Sequence, residues 1–258
     1  EELGCQVSVL GEAPDGEFEH PPEPTAGHLE TVASRVPETG AVVGFCQDPD
    51  ADRLAIIDEA GRYIGEEMTL ALCLKHVLNN RRGPVVINCA TSRMAVDLAE
   101  ETGVPCHLAP VGEANVVAKM RETGAVFGGE GNGGPIDPEV GMVRDSFVGM
   151  ALVLDQMAAT DKRLSEVVAE IPSYAIVKQK VEWSGGDLSR LWDRLEAYFS
   201  ADRSSRMDGL RLDWKDRWLL VRPSNTEPIV RLIAEAESES AAAELCEAAG
   251  SVLSEWTS

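Results

Sequence analysis

The sequence predicts an α/β fold: mixed, mostly parallel α/β/α sandwich units followed by a small α+β unit with an antiparallel sheet. Three observations predict it. Up to residue 172, short apolar runs of strand length alternate with longer stretches of helical spacing, the rhythm of parallel strands joined by crossover helices. After Pro172, strand-like runs follow one another and are bracketed by two helical stretches, the pattern of an antiparallel sheet covered by helices. Apolar residues make up 44% of a 258-residue chain, enough to bury a sizeable core and to argue against wholesale disorder.

Taken in order, residues 1–4 read as the end of a helix stopped by Gly4, and residues 6–10 as a strand. A domain rarely begins at a helix end, so further sequence upstream is expected. Residues 11–24 are rich in Pro, Gly and acidic residues and predict a loop. A short helix is expected over 27–36, strands over 41–46 and 53–57 with a turn at 58–61, and a helix over 66–79. A strand at 85–89 precedes a helix at 94–102 ended by Gly103. A strand at 106–109 precedes a helix at 113–122 ended by Gly124. A strand at 125–127 runs into a Gly-rich turn, and a long helix covers 145–159. The last part predicts a strand over 174–183, a helix over 187–199, strands over 210–214, 218–222 and 229–234, and a closing helix over 240–255. The expected units are 1–67, 68–172 and 173–258.

Charge and cysteine usage narrow the function classes. A formal net charge of −21 disfavours nucleic acid and anionic membrane as partners, since both need a basic face. Any anionic ligand then requires a local exception to the global field. Cys5, Cys46, Cys73, Cys89, Cys106 and Cys246 form no C-x-x-C pair and lie mostly among apolar neighbours, which predicts reduced thiols and a cytoplasmic protein. No apolar run approaches the roughly 20 residues of a membrane helix, and no signal peptide is expected. His20, His28, His76 and His107 show no metal-ligand spacing and read as surface or core residues.

Three loops carry the chemistry. Asp48, Asp50 and Asp52 stand at alternate positions between two strands, where their carboxylates can converge on one hard cation; oxygen ligands without His or Cys favour Mg²⁺ over zinc. An EF-hand loop is the nearest rival, with Glu59 at its last position, but Arg53 takes the place that needs glycine and strands flank the loop. A bare acidic turn is the plain alternative. The second loop, residues 128–134, is dense in glycine and raises Glu130 and Asn132 from a floor that a ligand can approach closely; a carboxylate and an amide suit sugar hydroxyls. A simple strand-to-helix connection would also use such glycines. The third loop, residues 222–228, gathers Arg222, Ser224, Asn225 and Thr226, a suitable cradle for a phosphate and the positive exception that the global charge requires. A proline-bounded turn explains Pro223 and Pro228 but not this clustering.

In order and spacing these loops resemble those of the α-D-phosphohexomutases, the phosphomannomutases, phosphoglucomutases and phosphoglucosamine mutases, and the resemblance covers essentially the whole chain. It implies that Asp48, Asp50 and Asp52 hold Mg²⁺ and that Arg53 adds catalytic positive charge. Glu130 and Asn132 would bind the sugar, and Arg222, Ser224, Asn225 and Thr226 the phosphate that is not reacting. It implies a hexose phosphate substrate and a hexose 1,6-bisphosphate intermediate, with phosphoryl transfer between positions 1 and 6 by way of a phosphoserine. The family carries that serine in an upstream domain, within a Thr-Ala-Ser-His-Asn-Pro-like motif. Residues 90–93 do not match the motif, so an N-terminal domain is expected to be missing here and the chain alone to be inactive. Many relatives have Ser where Asn132 stands, some have His where Glu113 stands, and the segment 88–93 lacks their lysine, with Arg93 as its only cation. Two other readings remain: a non-catalytic phosphosugar-binding protein, and a magnesium phosphatase using Asp48 as nucleophile.

Overall fold

The computed structural model describes residues 3–257 except 14, 18–20, 22, 184, 225 and 226, with the backbone alone of 256 and 257. Three sheets organise the described residues. The first is an antiparallel pair, β1 (Val43–Gln47) and β2 (Leu54–Asp58), covered by helix α1 (Glu30–Thr39) after a single 3-10 turn, Ala26–His28. All five residues of β2 are buried, because α1 packs against one face while helix α2 (Glu66–Asn80) packs against the other.

The second sheet runs in the order β4-β3-β5-β6, with β3 (Val85–Asn88), β4 (Cys106–Ala109) and β5 (Phe127–Glu130) parallel and β6 (Gly134–Ile136) antiparallel at the edge. Alternation along β3 sorts its side chains: Val85 and Ile87 face α2, helix α3 (Met94–Thr102) and helix α5 (Ser146–Thr160), whereas Val86 faces helix α4 (Glu113–Thr123). The result is the expected three-layer sandwich, with a short helix α6 (Leu164–Val168) closing it. Gly103 and Gly124 end α3 and α4 in the left-handed conformation, as the sequence predicts.

The third sheet is wholly antiparallel, in the order β7-β11-β10-β9-β8, built from β7 (Ala175–Glu182), β8 (Arg203–Ser205), β9 (Leu210–Asp213), β10 (Trp218–Pro223) and β11 (Ile229–Ala236). Helices α7 (Leu188–Phe199) and α8 (Glu239–Thr257) bury one of its faces. Its other face meets the middle unit through Trp218, Leu220 and Ile233, packed with Cys89, Ala90 and Val111. Polar contacts lock this junction. Trp218 Nε1 and the Arg93 amide both donate to Glu235 Oε1, at 2.8 and 2.9 Å, and the Arg211 guanidinium lies 4.3 Å from the Trp218 ring while donating to the Cys89 carbonyl.

Two differences from the sequence reading have physical reasons. Residues 6–10 form no strand, and Val7 and Val9 are exposed; alternation alone does not make a strand where no described strand edge pairs with it. The strand expected at 125–127 begins at Phe127 and continues through the glycines to Glu130, because β3 and β6 pair with both its edges. The very short β6, β8 and α6 have no sequence signal of their own. Among the described residues, which include all six cysteines, no disulfide forms and no helix is long and apolar enough to cross a membrane.

A net charge of −21 opposes compaction through self-repulsion that salt screens. The melting temperature is therefore expected to rise steadily with KCl between 0.05 and roughly 1 M, where the Debye length falls from over about 10 Å to about 3 Å. A flat or falling curve by scanning calorimetry contradicts this.

Candidate functional site

The aspartate loop is a tight turn between β1 and β2. Asp48 Oδ1 accepts from the amides of Asp52 and Arg53, both at 3.1 Å, and Asp48 Oδ2 accepts from Arg53 Nε at 2.5 Å. Ala51 sits at φ +57°, a left-handed conformation uncommon for a residue with a Cβ, which makes the turn between Asp50 and Asp52. Two anchors fix the loop to the middle unit. Ser146 Oγ, at the start of α5, donates to the Ala51 carbonyl at 2.6 Å and accepts from Gln47 Nε2 at 2.6 Å. The Leu54 amide donates to the Gly133 carbonyl at 2.9 Å, joining the aspartate loop to the glycine loop.

One carboxylate oxygen from each of Asp48, Asp50 and Asp52 lies within 4.8 Å of the others, the only such cluster among the described residues. The set fits a hard divalent ion on its own chemistry: all donors are anionic oxygens, and they crowd one another. Burial pushes the Asp52 carboxyl up to about 6, and the charges of Asp48 and Asp50 add to this against the pull of Arg144. Burial also acts on Asp48, but the hydrogen bonds and charge of Arg53 outweigh it and hold that carboxyl below its usual range. Strands rather than helices flank the loop, which removes the EF-hand reading. Asp48 is also a poor nucleophile, since it is buried and both its oxygens are occupied by donors.

Arg53 points back across its own loop. Its NH1 donates to Glu23 Oε1 at 2.6 Å, and this bond, with those to Asp48, raises an already high pKa further against the opposing effect of burial. Nothing in the Pro-rich sequence around Glu23 marks it as a partner.

In the glycine loop, Glu130 is buried and held at three points. Asn88 Nδ2 and the Gly112 amide donate to Oε1 at 2.7 and 2.8 Å, and Arg144 NH1 lies 3.1 Å from Oε2. A carboxylate has about four acceptor positions, so one remains for a ligand hydroxyl. Asn132, with its amide oriented to satisfy both ends, accepts from Arg144 NH1 at 2.9 Å and donates to the Glu130 carbonyl at 3.3 Å. Thr91 Oγ1 accepts from the Gly131 amide at 3.0 Å, and Glu67 Oε2 accepts from the Ser92 amide at 2.8 Å. A Cβ at Gly131 would overlap the Glu67 carboxylate, so the loop passes directly over it.

The phosphate-like loop reaches the same region from the third unit. Arg222 Nε donates to Asp208 Oδ1 at 2.8 Å, and Asp208 Oδ2 accepts from the Val111 amide at 2.9 Å. The Ser224 amide donates to the Ile229 carbonyl at 2.9 Å, and its hydroxyl accepts from the Glu227 amide at 3.3 Å. Asn225 and Thr226 lie outside the described residues, as does His20. An unbroken line of contacts thus runs from Asp52 through Arg144, Glu130 and the Val111–Gly112 segment to Asp208 and Arg222. Arg144, Asp208, Glu23 and Glu67 were not legible as site residues: each lies outside the three loops and 12 or more positions in sequence from the loop residue or segment it holds.

Comparison with known proteins agrees with this layout. Profiles of the phosphoglucomutase/phosphomannomutase family match in order: its alpha/beta/alpha domain II over residues 1–61, its alpha/beta/alpha domain III over 65–174 and its C-terminal domain over 176–249. A protein of Methanopyrus kandleri described as "Probable phosphoglucosamine mutase" is 39% identical over 95% of this chain and 55% of its own length. A phosphoglucomutase/phosphomannomutase of Thermococcus kodakarensis is 36% identical over 95% of this chain and 55% of its own length. Among solved structures, a phosphoglucomutase/phosphomannomutase family protein of Burkholderia thailandensis superposes with a TM-score of 0.71 at 28% identity, over 85% of this chain and 48% of that one. The chain therefore spans about half the length of the relatives it matches.

The Glu67 carboxyl offers a test of the packing beneath the glycine loop. Burial pushes it up to about 8; the Ser92 amide and Lys178 oppose the rise, while Glu235 and Glu66 add to it. An unfolded glutamate titrates near about 4.3. The fold therefore binds a proton that the unfolded chain releases, and the associated stability is full below about 4.3 and lost as pH rises through about 8. Glu67→Gln, always neutral, is expected to flatten the fall in melting temperature between pH 5 and 8; an unchanged slope contradicts the assignment.

Proposed function

The chain belongs to the phosphoglucomutase/phosphomannomutase family, and on that premise we propose that it supplies the metal-, sugar- and phosphate-holding parts of a phosphohexomutase, an isomerase that moves a phosphoryl group between positions 1 and 6 of a hexose phosphate. The support for this reading is the single line of contacts that joins the aspartate loop, the glycine loop and the arginine loop. The proposal divides the chain at residues 67 and 172, so that each unit brings one loop.

Asp48, Asp50 and Asp52 would hold Mg²⁺. When bound, the ion supplies positive charge to a phosphoryl group in transfer. Arg53 adds a guanidinium beside the same loop. The remaining acceptor position of Glu130, with Asn132, receives sugar hydroxyls. Arg222 and Ser224, with Asn225 and Thr226, hold the phosphate that is not reacting, which requires Arg222 to share itself between that phosphate and Asp208. The proton carrier is not among these assignments. The sequence contains no Thr-Ala-Ser-His-Asn-Pro-like stretch to act as phosphoserine, so this polypeptide alone is proposed to bind without turnover. The substrate class is a hexose phosphate, with glucosamine, mannose and glucose phosphates as candidates; a hexose 1,6-bisphosphate is the intermediate. The reading includes a cytoplasmic location, consistent with six cysteines of which none forms a disulfide.

Calorimetric titration of the chain with MgCl₂ is expected to show one site, weakened at least about tenfold by Asp50→Asn. Titration with glucosamine 6-phosphate or mannose 6-phosphate is expected to show binding weakened by Arg222→Ala, and a coupled assay with glucose 1,6-bisphosphate no turnover. Failure to bind both Mg²⁺ and every hexose phosphate would overturn the reading; turnover would overturn its claim of inactivity.

A further inference from the structure

Arg144 is absent from the roles assigned above, yet it touches more of the site than any other side chain. It stands in the segment between β6 and α5, one residue before the Asp145 cap of that helix. Its NH2 meets Asp52 Oδ2, its NH1 lies 3.1 Å from Glu130 Oε2 and 2.9 Å from the Asn132 amide oxygen, and its Nε lies 3.3 Å from Glu113 Oε2. The Arg144 amide also donates to Glu113 Oε2, at 3.0 Å. The Asp145 amide donates to the Pro135 carbonyl at 3.0 Å, and a Cβ at Gly134 would overlap the Arg144 side chain, so the backbone leaves a channel for it. The guanidinium is largely covered and surrounded by carboxylates from three separate segments.

We propose, resting on the reading of Asp48, Asp50 and Asp52 as the metal loop, that Arg144 is a positioning residue with opposite effects on the two ligands: it competes with the divalent ion for Asp52 while holding Glu130 and Asn132 in place for the sugar. The argument is one of charge and geometry. A cation on Asp52 repels a second cation placed beside the same carboxylate, so Arg144 weakens metal binding. The same guanidinium fills an acceptor position of buried Glu130 and orients Asn132; without it, Glu130 is left under-paired and Asn132 loses its donor, so Arg144 strengthens sugar binding. A guanidinium makes these contacts at once because its donors diverge in one plane, which an ammonium cannot do. When an ion takes Asp52, Arg144 keeps Glu113 and Glu130 as partners.

The test is calorimetric titration of the full chain and two variants with MgCl₂ and, separately, with glucosamine 6-phosphate and mannose 6-phosphate. Arg144→Met is expected to bind Mg²⁺ about tenfold more tightly and the better of the two sugar phosphates at least about tenfold more weakly. Arg144→Lys, which keeps the charge but not the fork, is expected to bind Mg²⁺ as the parent does while its sugar affinity stays low. A merely structural role would weaken both ligands together. Weaker or unchanged Mg²⁺ binding in a folded Arg144→Met overturns the inference, as does parental sugar affinity in Arg144→Lys, which decides the matter alone if the Met variant does not fold. If the parent chain takes up no Mg²⁺, the metal-loop reading falls and this inference with it; if the parent binds and the variants do not diverge, only this inference falls.

Discussion

The site depends on guanidinium groups set between carboxylates inside a strongly acidic chain. A net charge of −21 offers no general attraction for an anionic ligand, so positive charge has to be concentrated locally. Arg53 stands between Glu23 and the aspartate loop, Arg144 between the aspartate and glycine loops, and Arg222 against Asp208. Each guanidinium keeps some exposure to water, while the acids that anchor it range from buried Asp48 and Glu130 to half-exposed Glu23, and each stands in or beside one of the three loops. Removing one guanidinium leaves a buried or half-buried carboxylate without its partner, and such a loss exceeds the net worth of the pair.

The fold serves this arrangement through strand ends. Asn88, the Val111–Gly112 segment and Glu130 follow or close three neighbouring parallel strands, β3, β4 and β5, at their carboxyl ends, the usual position of ligand sites in open α/β sheets. The antiparallel pair β1-β2 brings the aspartate loop to the same edge, tied there by Ser146 and by the Leu54 amide. The third sheet is set against this edge by the Trp218–Glu235–Arg93 contacts, and Asp208 spans the gap between Arg222 and Val111. The ion pair between Asp208 and Arg222 is partly exposed, whereas the Trp218 junction is buried, so the loop end of the interface is the part held by polar contacts that a ligand can exchange.

Much of the fold was legible because local signals and tertiary packing agree. Helix α3 and strand β4 have the predicted bounds, the first because Gly103 provides the left-handed stop. The three loops were legible because each gathers its functional groups within a few residues. What the sequence did not reveal is pairing at long range. Glu23, Arg144 and Asp208 act on partners from 12 to 97 positions away, and a charged residue carries no mark of a distant partner. Residues 6–10 failed for the same reason: their alternation is strand-like, but a strand exists only where another edge pairs with it. The sequence also did not reveal that Glu130 is buried with three of its acceptor positions filled, because the contacts of Asn88, Gly112 and Arg144 are invisible from the loop itself.

The most direct measurement is a crystal of this chain grown with MnCl₂ and glucosamine 6-phosphate and examined by anomalous diffraction. The account predicts one manganese peak among the carboxylates of Asp48, Asp50 and Asp52, with the sugar at Glu130 and Asn132 and its phosphate at Arg222 and Ser224, in a single cleft. Metal and phosphosugar bound on separate surfaces, or a metal held by other residues, would contradict it.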